Sequence, residues 1–274
     1  MTDDGAFRVI AAITTQTVRD AIDAQKPPTA SLRERFADLL TGAILVRETM
    51  APGLRVQGFA RGADGRGLMV ADSYPDGGTR GLVQLQGGTD ISFAPGAVLQ
   101  MMRTLPNGAI HRGTVEIPDG NSISGALMQY FQTSEQVVSM AAVGTWIENE
   151  EVKISGGYIV QLLPEVEDGP LAVMAERLKD FESMMPMFNQ GITTPDAMLF
   201  ELLYGMPYTR LEESNLEFKC RCSELTLLTS LATLPPSDIH ELIEGGEVLQ
   251  IACDFCGKNY DLGPELLRGM LDKS

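Results

Sequence analysis

The sequence predicts an α+β protein in which a large N-terminal domain of mainly antiparallel sheet packed by helices is followed by a helical linker and a small C-terminal four-cysteine zinc domain. Three observations predict it. Hydrophobic periodicity alternates between helical and strand-like spacing over residues 1–166, composition turns acidic and methionine-rich over 167–218, and all four cysteines fall within 219–274. These ranges are the expected domain boundaries.

Two helical segments open the chain, Thr14 to Gln25 and Ser31 to Met50, separated by Pro27 and Pro28. The second sets Leu32, Phe36, Leu39, Leu40, Ala43, Ile44 and Arg47 close to an i, i+3, i+4, i+7 stripe. Short β-type runs between Gly-rich turns follow: Leu54 to Phe59, Gly67 to Ala71, Thr79 to Leu85, Ala97 to Arg103 and Thr114 to Ile117. A helix is expected over Ser122 to Thr133. Then Gln136 to Ile147 and Val152 to Leu163 read as a strand pair joined through Glu148 to Glu151 and closed by Pro164.

Residues 167–218 carry ten acidic residues against Arg177, Lys179 and Arg210, interleaved with Met174, Met184, Met185, Met187, Met198 and Met206. Helices are expected at Leu171 to Met185 and Pro195 to Tyr204. The second has Thr194 as N-cap, Pro195 at the first helical position and Gly205 past the end.

Composition bounds the function. A chain of 274 residues with 44% hydrophobic and 21% charged residues has material for a true core, so wholesale disorder is excluded. A net charge of −16 repels phosphate backbones and anionic lipid, so neither nucleic acid nor a membrane is expected as partner. The acidic N-terminus carries no secretory pattern, and no apolar run approaches the ~20 residues of a bilayer span. A cytoplasmic protein is expected, and cysteines in that reducing compartment are metal ligands, redox switches or core thiols before they are permanent disulfides.

Cys220-Arg221-Cys222 and Cys253-Asp254-Phe255-Cys256-Gly257 are two close pairs separated by the thirty residues 223–252. Zinc takes four thiolates at about 2.3 Å in a tetrahedron, placing neighbouring sulfurs roughly 3.8 Å apart, and two short-range pairs meet that demand. The residues alone leave four readings open. One is a structural zinc-ribbon interaction module, a second a set of inert core thiols, a third a thiol-disulfide oxidoreductase using Cys253 and Cys256, and the fourth a zinc-linked redox switch. Clustering in one small segment argues against core thiols, and the βαβ context of a thioredoxin-like enzyme is missing.

With this cysteine pattern the chain resembles the heat-shock protein 33 family, redox-regulated holdase chaperones of bacteria, over nearly its whole length. Tyr130-Phe131 with Ser134-Glu135-Gln136, the run Gly157 to Pro164, Leu234-Pro235 and Cys253-Asp254-Phe255-Cys256-Gly257 support the likeness. The resemblance implies one Zn2+ per chain on Cys220, Cys222, Cys253 and Cys256 in a reduced, inactive monomer. It further implies that oxidant forms Cys220–Cys222 and Cys253–Cys256 disulfides and releases zinc. The product is a homodimer that holds unfolded client proteins without ATP, and no reaction is catalysed.

Physical chemistry agrees with that cycle. Zinc binding to small Cys-rich modules is worth about 10–16 kcal/mol, whereas a segment of this length has only ~3–8 kcal/mol from ordinary per-residue stability. Sulfurs joined at about 2.05 Å cannot both remain ligands of one zinc ion. A Cys-x-Cys disulfide is also strained and so easily reduced again. Lys219 and Arg221 favour thiolates in the first pair and Asp254 opposes them in the second, while the resemblance implies that Cys253 and Cys256 react first.

Other candidates are set aside. His240 reads as a surface or helix-end residue and His111 as structural. Gly62 to Gly67 lacks a Gly-Lys-Ser/Thr ending and reads as a hairpin turn, and Ser134-Glu135-Gln136 reads as a packing or hydrogen-bonding group.

Overall fold

The longest helix, α2 (Ala30–Thr49), which follows α1 (Thr15–Gln25), is buried around most of its circumference from Leu39 to Val46, although its sequence pattern suggests a single apolar stripe. The reason is its position between two sheets. In this computed structural model, which describes residues 1–50, 53–105, 107–118, 120, 122–164 and 168–271, the chain forms two compact units, Met1–Phe218 and Lys219–Ser274. The expected boundary at 166/167 lies outside the described residues.

The first sheet has six strands. β2 (Val56–Arg61), β3 (Leu68–Ser73), β4 (Gly78–Gln84), β5 (Val98–Thr104) and β6 (Ile110–Glu116) pair antiparallel in the order β6-β5-β2-β3-β4. Phe36 of α2 packs where β4 has no side chain: a methyl on Gly81 would stand 2.5 Å from Phe36 Cζ. The Gly62–Gly67 segment is the β2–β3 hairpin, with Gly65 and Gly67 at φ +70° and +87°, so its glycines serve the turn rather than a phosphate.

The second sheet has three antiparallel strands, ordered β1 (Phe7–Ile13), β8 (Glu151–Leu162), β7 (Ser139–Glu148). Strand β1 was absent from the sequence expectations, because Phe7–Ile13 shows no clean alternation of apolar and polar residues. The helix expected to Thr133 is α3 (Ile123–Tyr130), continued by one π turn over Phe131–Glu135 and stopped by Gln136 at φ +57°. From α3 the Ser124 hydroxyl accepts from Val143 N–H at 3.0 Å and donates to Val143 C=O at 3.2 Å, so a side chain satisfies the outer edge of β7 there.

Central strand β8 is covered on both faces. One face meets α2; the other carries α4 (Asp168–Lys179), α5 (Met185–Asn189) and α6 (Pro195–Leu202). The single helix expected over Leu171 to Met185 ends at Lys179, and a second, α5, starts at Met185 with Pro186 in its first turn, where proline is tolerated. The predicted cap of α6 is present, Thr194 Oγ1 accepting from Ala197 N–H at 3.2 Å. Met174, Met184, Met187 and Met198 are buried with Phe181, Phe188 and Leu202 against Phe7, Ala142, Ile154, Tyr158 and Val160. Tyr158 donates its hydroxyl to the Phe181 carbonyl at 2.6 Å within this layer.

Beyond α6 the chain is fastened twice more. Tyr208 bridges to Thr2, and Thr209 N–H donates to Met1 C=O at 2.9 Å. β9 (Glu217–Phe218) then adds to β4 in parallel through two residue pairs, Gly78↔Glu217 and Thr79↔Phe218. Among the described residues no helix is long and apolar enough to cross a membrane.

Candidate metal centre

Lys219 alone separates β9 from Cys220. Cys222 is followed by Ser223, the N-cap of α7 (Glu224–Leu231), whose Oγ accepts from Thr226 N–H at 3.1 Å. Helix α8 (Pro236–Glu244) and the hairpin β10 (Leu249–Ala252) and β11 (Asn259–Leu262) lead back to the second cysteine pair, and α9 (Pro264–Leu271) closes the unit. Among the described residues the apolar cluster of this unit has three buried members, Ile239, Ile243 and Leu267, with Leu228, Leu231 and Leu242 packed on them. That is little for a unit of this size.

The turn between β10 and β11 aims Cys253 and Cys256 at one point. Cys253 N–H donates to Lys258 C=O at 2.9 Å, and Gly257 N–H donates to Cys253 C=O at 2.8 Å. Gly257 lies at φ +69°, where a side chain would be strained, which accounts for the glycine after the Cys-x-x-Cys pair.

All four sulfurs lie within 4.8 Å of one another. Cys220 Sγ stands 3.7 Å from Cys253 Sγ and Cys222 Sγ 3.4 Å from Cys256 Sγ, both contacts crossing between the pairs. A tetrahedral zinc–thiolate centre needs roughly 3.8 Å between sulfurs, so this donor set fits such an ion in number, type and spacing. All four are free thiols, Cys253 buried and the others half-buried.

Electrostatics explain why a cation suits the cluster. Burial opposes ionisation of Cys222, but the hydrogen bond from Tyr260 at 3.1 Å and those from the neighbouring thiols outweigh it and bring this thiol down to about 7. Burial raises Cys253, and burial together with the hydrogen bond it gives Cys222 pushes Cys256 up to about 12. Tyr260, whose proton is committed to Cys222, is likewise raised to about 12. A thiolate at Cys222 thus opposes ionisation of Cys253 and Cys256, and a positive ion among the sulfurs favours their thiolates.

Tyr260 escaped the sequence reading; its one signal is an aromatic residue in the short strand after the Cys-x-x-Cys turn. Lys258 Nζ lies 5.0 Å from the centre of its ring. His240 is exposed on α8 and outside the thiol cluster. Glu135 of the Ser134-Glu135-Gln136 motif accepts from Tyr130 Oη at 2.5 Å and pairs with Arg103 at 2.8 Å, while His111 Nδ1 lies 4.0 Å from it. That motif is tied into the packing of α3 and β5.

Fold and site together define an α+β protein with a methionine-faced sheet and a separate four-thiol module. Residues 1–263 match the family described as Hsp33 protein. The chain is 29% identical to the 33 kDa chaperonin of Syntrophotalea carbinolica over 98% of its own length and 96% of the relative's. It is 31% identical to that of Symbiobacterium thermophilum, again over 98% and 96%. The crystal structure of the 33 kDa chaperonin (heat shock protein 33 homolog) from Thermotoga maritima superposes with a TM-score of 0.81, covering 98% of this chain and 95% of that one at 21% identity, a likeness of fold. The chain belongs to the Hsp33 family.

Proposed function

We propose that the chain is a redox-regulated, ATP-independent holdase chaperone of the cytoplasm, inactive while reduced and metal-loaded. The four-thiol cluster carries the reading, because it lies in a unit whose own apolar core is too small to hold it. In the reduced chain Cys220, Cys222, Cys253 and Cys256 would hold one Zn2+. When bound, the ion supplies a cross-link between the β10–β11 turn and the segment entering α7.

Oxidation joins Cys220 to Cys222 and Cys253 to Cys256, and sulfurs at disulfide distance no longer serve as ligands. With the cross-link gone, residues 219–274 lose their fold. Since Lys219 alone separates Cys220 from β9, the freed segment no longer steadies that two-residue strand, and residues 167–218 act as the redox-responsive linker. Their departure uncovers Phe7, Ile154, Tyr158 and Val160 and frees the methionines themselves, which suit clients of varied shape. Residues 1–166 then serve as the substrate-binding and dimerisation domain, monomeric when reduced and paired when oxidised.

The relatives' name, 33 kDa chaperonin, supports a binding rather than a catalytic role.

The test is peroxide with mild warming, zinc and client aggregation being followed in one sample. About one zinc per chain should leave, by the stoichiometry of four thiolates, and aggregation of a thermally unfolding client should be suppressed only afterwards. Full suppression by the reduced, metal-loaded chain overturns the switch.

A further inference from the structure

The thiol cluster is not symmetric, and one source of the asymmetry is a phenol. Tyr260 sits on β11 opposite Ile251 of β10, and its hydroxyl lies 3.1 Å from Cys222 Sγ. A phenol has a single O–H, so one sulfur receives that proton. Lys258 Nζ, 5.0 Å from the ring centre, draws electron density toward the ring face and strengthens the O–H as a donor.

We infer that Tyr260 is a positioning residue that, through its hydrogen bond to Cys222 Sγ, retards oxidation of the Cys220–Cys222 pair and strengthens its hold on the metal. The inference rests on the proposed zinc switch and adds to it a residue that sets the speed of one of its two oxidations.

The chemistry is two-electron oxidation by a peroxide. One thiolate sulfur attacks a peroxide oxygen, an S–O bond forms, the O–O bond breaks and hydroxide leaves, giving a sulfenic acid. The second thiolate attacks that sulfur, the S–S bond forms, the S–O bond breaks and a second hydroxide leaves. Two protons from solvent convert both hydroxides to water, so two electrons pass from the sulfurs to one peroxide. In making the Cys220–Cys222 bond, Cys222 is either the first sulfur or the second. Its lone pair is engaged by Tyr260 in both cases, so both routes slow. When all four sulfurs are metal-bound thiolates, acidity no longer ranks them. Nucleophilicity and access remain, and the β11 phenol lowers the nucleophilicity of Cys222.

The test uses the zinc-loaded full-length chain and Tyr260→Phe, which keeps the ring and removes the hydroxyl. Peroxide is added, zinc is followed with a chromogenic chelator, and samples are quenched with acid, alkylated and mapped cysteine by cysteine by mass spectrometry. In Tyr260→Phe the initial rate of Cys220–Cys222 closure, read while the unit is still zinc-bound and folded, should rise about tenfold over wild type, the magnitude set by one hydrogen bond to a charged acceptor, with the Cys253–Cys256 rate unchanged. Zinc affinity by chelator competition should fall about tenfold, as expected for an outer-shell partner of a ligand. Equal Cys220–Cys222 rates in the two proteins overturn the inference. Should Tyr260→Phe fail to hold zinc, Lys258→Met weakens the same donor with the phenol in place, and a rate no faster than wild type overturns it equally. A wild-type chain that binds no zinc instead sinks the proposed switch, whereas a zinc-bearing wild type with an unmoved Tyr260→Phe rate sinks only the role of Tyr260.

Discussion

Gly144→Ala tests whether the methionine layer is a seated cover. Gly144 lies on β7 beneath the turn between α4 and α5, and a methyl there would stand 2.8 Å from Met184 Cβ and 3.3 Å from its Cγ. Real carbon contacts do not reach the shorter distance, so Met184 and the turn around it must rise. Without that contact, Gly→Ala at a compatible site stabilises by roughly 0.4–1 kcal/mol through the unfolded chain. That gain cancels from docking, because β7 stays folded when the cover lifts; overpacking a filled interface costs about 1–3 kcal/mol, and ~1–2 kcal/mol against docking is a factor of about 5–30 in the undocked population. The assay is amide hydrogen exchange on the reduced, zinc-loaded chain. Amides of α4, α5 and α6 should exchange about tenfold faster, those of α2 should not change, and some client holding should appear without oxidant. Gly169→Ala is the counterpart, since an added methyl meets no atom within 4 Å and α4 gains a better helix former; exchange there should slow. Unchanged or slower exchange over 168–206 in Gly144→Ala would refute the seating of this segment on β7.

Three further outcomes are expected. Tyr158→Phe removes the donor to the buried Phe181 carbonyl and should cost about 1–2 kcal/mol, read as lowered protection of α4 and α5 with the six-stranded sheet untouched. A high-affinity zinc chelator added under reducing conditions should abolish protection over 219–271 while residues 1–164 keep theirs, and retained protection at the C-terminal unit contradicts its dependence on metal. Burial, against the hydrogen bond that Thr145 Oγ1 donates at 3.0 Å, pushes the Asp38 carboxyl from the ordinary 3.8 up to about 7. The native state therefore binds more protons than the unfolded one between these values, and stability contributed by Asp38 is lost as pH rises from about 4 to about 7. Asp38→Asn should flatten that slope in denaturant unfolding, and an identical slope in both proteins removes Asp38 as its source.

Much of the fold was legible because the signals were local. Turn glycines bounded β2 through β5, and Thr194, Pro195 and Gly205 bounded α6 to within three residues. What escaped depends on tertiary partners. Phe7–Ile13 becomes a strand because β8 offers it an edge, and α2 is buried on two sides because two sheets enclose it, though its own pattern shows one stripe. A buried hydroxyl group joining Thr14, Thr41, Thr145 and Ser155 gave no signal either, its members lying up to 141 residues apart. At the candidate metal centre the spacing of the cysteines announced the four-thiol cluster, since short pairs suit a shared centre. The phenol of Tyr260 was illegible, because only the β10–β11 register decides which sulfur it meets.

If the linker is released as proposed, its charge decides what that release can do. Uncovering an apolar sheet face ordinarily invites self-association, because chains that expose the same surface bury it against each other. Here the cover that would leave carries ten acidic residues against three basic ones among its methionines. Undocked, it is a polyanion with thioether side chains on the same strand, so two such segments repel while each still offers apolar contacts to a chain of different charge. That combination favours an unfolding client over a second copy of the linker. It also predicts a salt effect: screening at ionic strength near 1 M, where the Debye length is about 3 Å, removes the repulsion. The oxidised protein should then form large assemblies by light scattering, while the reduced, zinc-loaded chain stays monodisperse. Oxidised protein that stays equally monodisperse at high and low salt would remove charge from the account of its solubility.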